Sequence, residues 1–547
     1  SLSLGRASPE SLASGVFRTG ASELAQGSQV RFLRDGKTAT VAFYQQGMAG
    51  TIATNGKPDA AMQLDPSLAP SDDEITMLML GSMPLAAHPS PKRIALIGWG
   101  SGLSTHTVLG SPVPEVVDSV EIERAMYDGA MLYGERVARA YRDPRSRLHI
   151  DDARTYFSAG KKKYDVIVSE PSNPWVSGVA GLFTHQFYDF LGNHLDEGGV
   201  LVQWIHTYEL NDPLLATMLA ALSERFPYIE LYRPNFGDLI VVASHSPLQD
   251  LVYPAAEGSA LGAELKRVGL GGLADFSATH MGSRAVVENF VRLFGTAPHD
   301  DFHPTVSLQA PRSRFRGDSA GSLQLLVQSG IPVLEMTDAW VPPRASSGMN
   351  LTRNDQMVTL PRDAARIAAA MRSGDFADVA SDYQPLAAQG FVFRSLSGAP
   401  VPEAQVVNWM TSASAIAELT LAHLAVEDQG GMWIGPAWYV PEGQPRPVQA
   451  VMAAYGAAAL RDGPAMLTTG RAALAELDLG YPTETREHML VIAMLGALAS
   501  GDSAEAVRLD REEGATVPVL PNSSYGFIRA YLLAWADRPA TTPSPAS

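Results

Sequence analysis

Cysteine is absent from the 547 residues, which excludes disulfides, thiolate metal sites and a cysteine nucleophile while leaving the redox compartment open. Basic residues are also scarce. Lys and Arg number 41 against 58 Asp and Glu, a formal net charge of -17, and no extended basic stripe is present to neutralise the phosphates of a nucleic acid. The triplet Lys161-Lys162-Lys163 reads as a solvated turn. No uninterrupted apolar run approaches the roughly 18 residues that cross a bilayer, and the first residues lack the charged-then-apolar form of a signal peptide. As given, the chain reads as soluble, and its opening Ser-Leu-Ser-Leu-Gly-Arg as the start of a trimmed one. What is present, 46% hydrophobic against 18% charged residues, suffices for large cores in about two to four domains.

From Val30 to Ala60 the pattern is one of short alternating strands. A hairpin turn is expected at Asp35-Gly36, with Thr38 to Tyr44 as its second strand, and another turn at Asn55-Gly56. Asp72-Asp73-Glu74 reads as the start of an apolar helix ending near His88, its acids at the positive end of the dipole. Pro89 and Pro91 mark a junction. From Arg93 to about Ser244, strand-like runs (Ile94 to Ile97, Ser119 to Ile122, Leu148 to Ile150, Val166 to Ser169, Val200 to Trp204, Leu239 to Ala243) alternate with helical segments, which predicts a mostly parallel sheet covered on both faces. The loops after Ile97, Ile122, Ile150 and Ser169 should face one cleft at the carboxyl ends of the strands.

Residues 251–345 are mixed, with Pro342-Pro343 and Ser346-Ser347-Gly348 as a linker. Beyond Pro361, Ala-rich helical periodicity dominates around Ala364 to Met371, Val448 to Leu460, Met466 to Leu477, Arg486 to Ala499 and Ala504 to Arg511. It suits either a tetratricopeptide-like array of antiparallel pairs or a plain helical bundle. The expected division is residues 1–85 as a β-hairpin domain with its connecting helix, 86–250 as an α/β domain, 251–345 as its extension and 355–547 as a helical domain.

The chemistry concentrates in the α/β part. An apolar run breaks into Gly98-Trp99-Gly100-Ser101-Gly102, and about twenty residues later a second run ends in Glu121, which suits a nucleoside: the glycine turn lets a ligand approach the backbone, and the acid accepts both ribose hydroxyls. Alone, the three glycines are equally a tight turn. Asp151 and Asp152 stand at another strand tip, where an acid meets an adenine amino group or caps the next helix. The run ending in Ser169 is followed by Glu170-Pro171-Ser172-Asn173-Pro174-Trp175 and then the glycine-rich Ser177 to Gly181, a stiff loop that puts a carboxylate and an amide at the cleft.

These markers, with Val120-Glu121-Ile122-Glu123, Tyr164 to Val168 and Gly181 to Tyr188, resemble the polyamine aminopropyltransferases, and specifically bacterial spermidine synthase-like proteins fused behind membrane helices. The resemblance covers about Val30 to Ser244, with a weaker echo from Asp300 to Arg312. It implies an N-terminal β domain, a Rossmann-like, methyltransferase-type sheet of seven strands, and decarboxylated S-adenosylmethionine as co-substrate. By the resemblance, Gly98, Gly100 and Gly102 line the sulfonium side, Glu121 meets the ribose and Asp152 the adenine, while Glu170 falls where the family has its catalytic Asp, with Asn173 beside it. Trp175, Trp204, His206 and Tyr208 are candidates for the acceptor pocket. Transfer to an amine needs such an acid, because an amine with an unperturbed pKa of roughly 10 arrives protonated.

Three departures bear on the substrate. Ser101 replaces an acid of the glycine loop that meets the cofactor's free amine, so a carboxylate there is no longer repelled. Asn173 replaces a second acid, and the Tyr-His-Glu set that holds a polyamine is read as Met77-Leu78-Met79, which predicts an acceptor end stripped of charge. The leading expectation is aminopropyl transfer to an amine with release of methylthioadenosine and no metal. The alternatives are chemistry on intact S-adenosylmethionine, by methyl transfer or intramolecular cleavage, and a non-catalytic nucleoside-binding module. Expected partners are a small amine or polyamine, a second copy in a homodimer and another protein at the helical region. The resemblance places membrane helices before the chain and this portion on the cytoplasmic side; a periplasmic location stays open.

Plainer readings stand beside these. Glu170 is also a solvated loop acid, Trp204 a core residue, and Met77 and Met79 packing residues. His299 and His303 have ligand spacing without an evident third partner. Asn350-Leu-Thr and Asn522-Ser-Ser match glycosylation sequons.

Overall fold

The structure is a computed structural model, described for residues 8–15, 22–176, 178–338, 340, 343, 349–350, 355–519 and 523–538. Most of the linker read at 342–348, the sequon at Asn522 and most of that at Asn350 lie outside these residues, as does Ser177. The chain divides into two compact units. The first holds residues 1–284 and 296–320, the second 285–295 and 321–547. The stretch 251–345 is therefore shared between them rather than being one extension.

The first unit opens with a four-stranded antiparallel sheet in the order β1 (Ser28–Asp35), β2 (Thr40–Gln46), β3 (Ala49–Thr54), β4 (Lys57–Gln63). Both expected hairpin turns form. Asn55 and Gly56 adopt φ of 50° and 74°, the left-handed pair of a tight two-residue turn. The other turn is docked rather than free, since a Cβ on Gly36 would meet the Glu123 carboxylate at 2.1 Å.

A helix at Asp72–Ala87 follows, with Ser71 and Glu74 forming a capping box. The fully buried Glu74 carboxylate also receives the Gln63 N–H at 2.8 Å and the guanidinium groups of Arg136, at 2.8 Å, and Arg267.

The second sheet runs β12-β10-β11-β9-β8-β5-β6-β7. β5 (Arg93–Ile97), β6 (Val116–Glu121), β7 (Ser146–Ile150), β8 (Tyr164–Ser169) and β9 (Leu195–His206) pair in parallel. β10 (Tyr228–Asn235), β11 (Asp238–Ser244) and β12 (His280–Ser283) extend it antiparallel. The sheet thus has eight strands, not seven. β10 escapes the sequence pattern because Pro227 and Pro234 bracket it, and proline argues against a central strand; β12 is four residues long in a polar stretch. The inner strands read as apolar runs because both faces are covered: every residue of β11 is buried, as are Ile94 to Ile97. The three lysines of the triplet are exposed, and two of them also bond the protein, Lys162 Nζ to the Tyr156 hydroxyl at 3.1 Å and Lys163 Nζ to the Leu195 carbonyl at 3.0 Å.

The second unit is helical, and its segments match those read from the sequence, with Leu477 falling just past the end of its helix: Gln356–Ser373, Arg446–Leu460, Gly463–Glu476, Thr483–Ala499 and Ser503–Glu512. Small residues set the spacing of its central pair. A Cβ on Gly496 would lie 2.4 Å from the Leu467 nitrogen and 2.7 Å from the Gly463 carbonyl oxygen, so these helices meet backbone to backbone. A buried polar chain crosses the same unit, from Ser414 through Tyr455 (3.1 Å) to His488 (2.9 Å) and on to Glu418 (3.0 Å). No helix among the described residues is long and apolar enough to cross a membrane.

Because backbone cannot yield to a side chain at Gly496, Gly496→Val is expected to destabilise the protein by about 1–3 kcal/mol in a urea titration.

Candidate active site

β5 and β8 lie side by side in parallel register, Ile97 opposite Ser169, so the turn after one and the loop after the other emerge together. Gly98, with φ of 96°, closes the gap: a Cβ there would sit 2.2 Å from the Glu170 carbonyl oxygen. The Glu170 N–H returns to the Ile97 carbonyl at 2.9 Å and the Gly98 N–H to that of Val120 at 2.9 Å. Three strand tips are thereby tied around the glycine turn.

Glu121, at the end of β6, is buried with both oxygens engaged: Oε2 accepts the Trp99 N–H at 2.9 Å and Oε1 the Glu123 N–H at 2.8 Å. It therefore shapes the turn as well as facing the ligand side. Burial pushes it up to about 7 despite those bonds, with Asp59 and Glu123 adding to the rise. Glu123 docks the first hairpin, accepting the Thr38 N–H at 2.8 Å and its hydroxyl at 2.9 Å. Of the aspartate pair, Asp152 is the helix cap, accepting the Thr155 N–H at 3.0 Å, while Asp151 accepts the Asp152 N–H at 2.9 Å.

These groups line a cavity of about 620 Å³. Among the residues expected at the site, Gly98, Gly100, Glu121, Asp151, Asp152, Glu170, Trp204 and Tyr208 are on its wall. Five others are not. Ser101 is fully buried and directs its hydroxyl to Met77 Sδ at 3.0 Å; Gly102 starts the next helix under the Trp99 ring. His206 is fully buried behind Tyr208, ring centroids 4.8 Å apart, and Asn173 is fully buried below the loop. Trp175 lies between cations, with Arg314 4.0 Å and Lys57 5.7 Å from its ring.

The part of the cavity expected to be stripped of charge carries acids. Asp73 and Asp238 are on the wall with Glu170, as are Thr76 and Met77, whereas Leu78 and Met79 are in the core. Asp238 is held by Thr76 Oγ1 at 2.5 Å, Asn235 Nδ2 at 2.8 Å and Trp204 Nε1 at 3.0 Å, which gives Trp204 a polar task at the cavity. Burial raises Asp238, and raises Asp73 to about 6 and Glu170 to about 7; Asp238 and Asp73 add to the rise at Glu170, and the Ser104 hydroxyl opposes it. Burial likewise holds the Tyr208 hydroxyl well above its ordinary range, and the Asn173 amide offsets part of that.

Sequence reasoning missed these acids. Asp73, Thr76 and Met77 share one face of their helix by i, i+3, i+4 spacing, a signal that was present but read as a dipole effect. Lys57 and Asp59 share one side of β4 by its period of two, opposite buried Ala60 and Met62. Asp238 carries no such signal, because its place depends on β11 pairing with β9, Asp238 opposite His206.

A returning segment braces the loop after β8. Asp301 pairs with Arg154 through two 2.8 Å contacts, and Arg154 donates to the Gly181 carbonyl at 2.6 Å and Thr184 Oγ1 at 2.9 Å. His299 is buried with Nε2 3.1 Å from the Ala180 carbonyl oxygen, whereas His303 is exposed beside Asp300; no group of three metal-ligating side chains occurs among the described residues.

Residues 74–236 match the Spermine/spermidine synthase domain. Curated relatives include a polyamine aminopropyltransferase of Nitrosomonas europaea, 31% identical over 173 residues, covering 31% of this chain and 53% of that protein. A spermine synthase of Arabidopsis thaliana is 29% identical over 222 residues, 39% of this chain and 60% of that protein. The chain thus spans a little over half the length of these relatives. Among solved structures, a spermidine synthase from Thermotoga maritima aligns at 22% identity and a TM-score of 0.34, over 40% of this chain and 73% of that one.

Two outcomes are expected. Gly98→Ala must displace the Glu170 carbonyl, and a shift approaching 1 Å costs on the order of a hundredfold in turnover. Glu121, Glu170 and Asp73 keep their protons in the folded protein to about 7, 7 and 6, above their ordinary 4.5, 4.5 and 3.8, so the folded state binds more protons across that interval and their contribution to stability declines as pH rises through it. Thermal midpoints of the unliganded protein between pH 5 and 8 check this, and Glu121→Gln should flatten the decline.

Proposed function

We propose, supported by the match of residues 74–236 to the Spermine/spermidine synthase domain and by the likeness to a polyamine aminopropyltransferase, that this chain is spermidine synthase-like and moves an aminopropyl group from decarboxylated S-adenosylmethionine to an amine. The observation that carries this reading is that Glu170, Asp73 and Asp238 share one cavity with the glycine turn and Glu121. An ammonium taken out of water needs a carboxylate partner, and this end of the cavity supplies three.

The nucleoside lies along Gly98, Gly100, Glu121 and Asp152, with the sulfonium toward Glu170. The acceptor enters as an ammonium and is held by Asp73 and Asp238. Glu170, poised near 7, takes its proton, and the nitrogen lone pair then attacks the methylene carbon bound to sulfur. As the new C–N bond forms, the C–S bond breaks, its electron pair returns to sulfur and neutral methylthioadenosine leaves. The sulfonium is a good leaving group, so alignment of nitrogen, carbon and sulfur supplies most of the remaining acceleration.

One observation favours a second reading, chemistry on intact S-adenosylmethionine. Ser101 faces Met77 instead of the cavity, so a carboxylate on the cofactor meets no acid from the glycine loop.

The product separates the two: methylthioadenosine from the decarboxylated cofactor and an amine supports transfer, and S-adenosylhomocysteine from the intact one supports methylation. If Glu170 is the base, Glu170→Gln lowers kcat by about 10²–10⁴ while nucleoside affinity is kept, and removes a rise in kcat/KM with a midpoint near 7. Unchanged turnover removes it from that role.

A further inference from the structure

Asp59 and Lys57 stand side by side on the cavity wall, Lys57 Nζ 2.7 Å from Asp59 Oδ1, with side chains only 6% and 9% exposed for lysine and aspartate. Ser172, two residues after Glu170, closes the triangle: its hydroxyl donates to Asp59 Oδ1 at 3.0 Å and receives from Lys57 Nζ at 3.1 Å. The other carboxylate oxygen, Oδ2, is buried and has no hydrogen-bond partner. A buried charged oxygen without a donor is costly, and in a wall facing a ligand cavity it calls for a donor on the ligand.

The place of this pair follows from its neighbours. The same cavity wall carries Glu121 at the nucleoside end and Asp73 at the acceptor end, and both members of the pair hold Ser172 of the Glu170 loop. The carboxylate therefore sits at the junction between nucleoside and acceptor. The decarboxylated cofactor ends there in a short chain with a free ammonium. The glycine loop offers that ammonium nothing, because Ser101 is turned away.

Resting on the reading of the site as an aminopropyltransferase centre, we infer that Asp59 Oδ2 binds the free ammonium of the transferred aminopropyl group, and that Lys57 and Ser172 fix the carboxylate for it through Oδ1. The acid absent from the glycine loop is thereby supplied from the N-terminal hairpin. Lys57 is a positioning residue in this arrangement, since two of its three donors are spent on Asp59 and Ser172.

The test compares two ligands that differ by that chain. Calorimetry of the full chain and of Asp59→Asn is run with methylthioadenosine, which lacks the aminopropyl group, and with decarboxylated S-adenosylmethionine. Asn keeps an acceptor for Lys57 and Ser172. Methylthioadenosine affinity should be unchanged, which also reports an intact fold, while affinity for the decarboxylated cofactor falls about 10- to 100-fold, as for a lost hydrogen bond to a charged group. Equal changes for the two ligands, including none for either, overturn the inference. Failure of the transfer reading shows elsewhere: a wild-type chain that makes no methylthioadenosine from the decarboxylated cofactor and an amine, whatever Asp59→Asn does to affinity.

Discussion

The first unit depends on a contact that no side chain makes. Gly98 lies against the main-chain carbonyl of Glu170 so closely that a methyl group has no room. Two neighbouring parallel strands deliver these atoms to the same level, and the missing Cβ lets them meet. The nucleoside-facing turn and the acid loop are therefore one rigid object. Glu121 extends it by holding the Trp99 and Glu123 N–H groups, and Glu123 brings the N-terminal hairpin onto it through Thr38. The proposed transfer works by alignment and so depends on that rigidity.

Glu121, Glu170, Asp73 and Asp238 are all held above their ordinary range, chiefly by burial, so the empty cavity keeps protons near neutral pH that free carboxyl groups would have lost. A cationic ligand reverses this, because each ammonium favours the ionised form of the acid it pairs with. Ligand entry and proton release are thus linked, and a neutral ligand of the same shape would lack that drive.

Much of the nucleoside half was legible in the sequence because its signals are local: glycines after an apolar run, an acid at the next strand tip, a turn dipeptide between alternating residues. Gly98, Gly100, Glu121, Asp152 and Glu170 all reach the cavity. The acceptor half was misread, and the reasons are physical. Asp73 was read only as an acid at the positive end of the helix dipole, although its spacing with Thr76 and Met77 marks one helix face; Asp238 is placed by an antiparallel pairing that joins distant residues. Ser101, Asn173 and His206 flank the right motifs but are buried away from the cavity, because strand and turn geometry, more than neighbourhood in the chain, decides which side chains see it.

The return of residues 296–320 to the first unit makes that unit discontinuous. Its loop after β8 is braced by Arg154 against Asp301 and by Trp175 against Arg314, partners separated by well over a hundred positions. Such contacts carry a high loop-closure entropy and form late. During synthesis the five parallel strands and the glycine turn are complete in sequence long before Asp301 and Arg314 emerge, while β12 precedes them only shortly. The brace on that loop is thus completed only after the chain has passed through residues 285–295 of the other unit, although every residue on the cavity wall has emerged by Asp238.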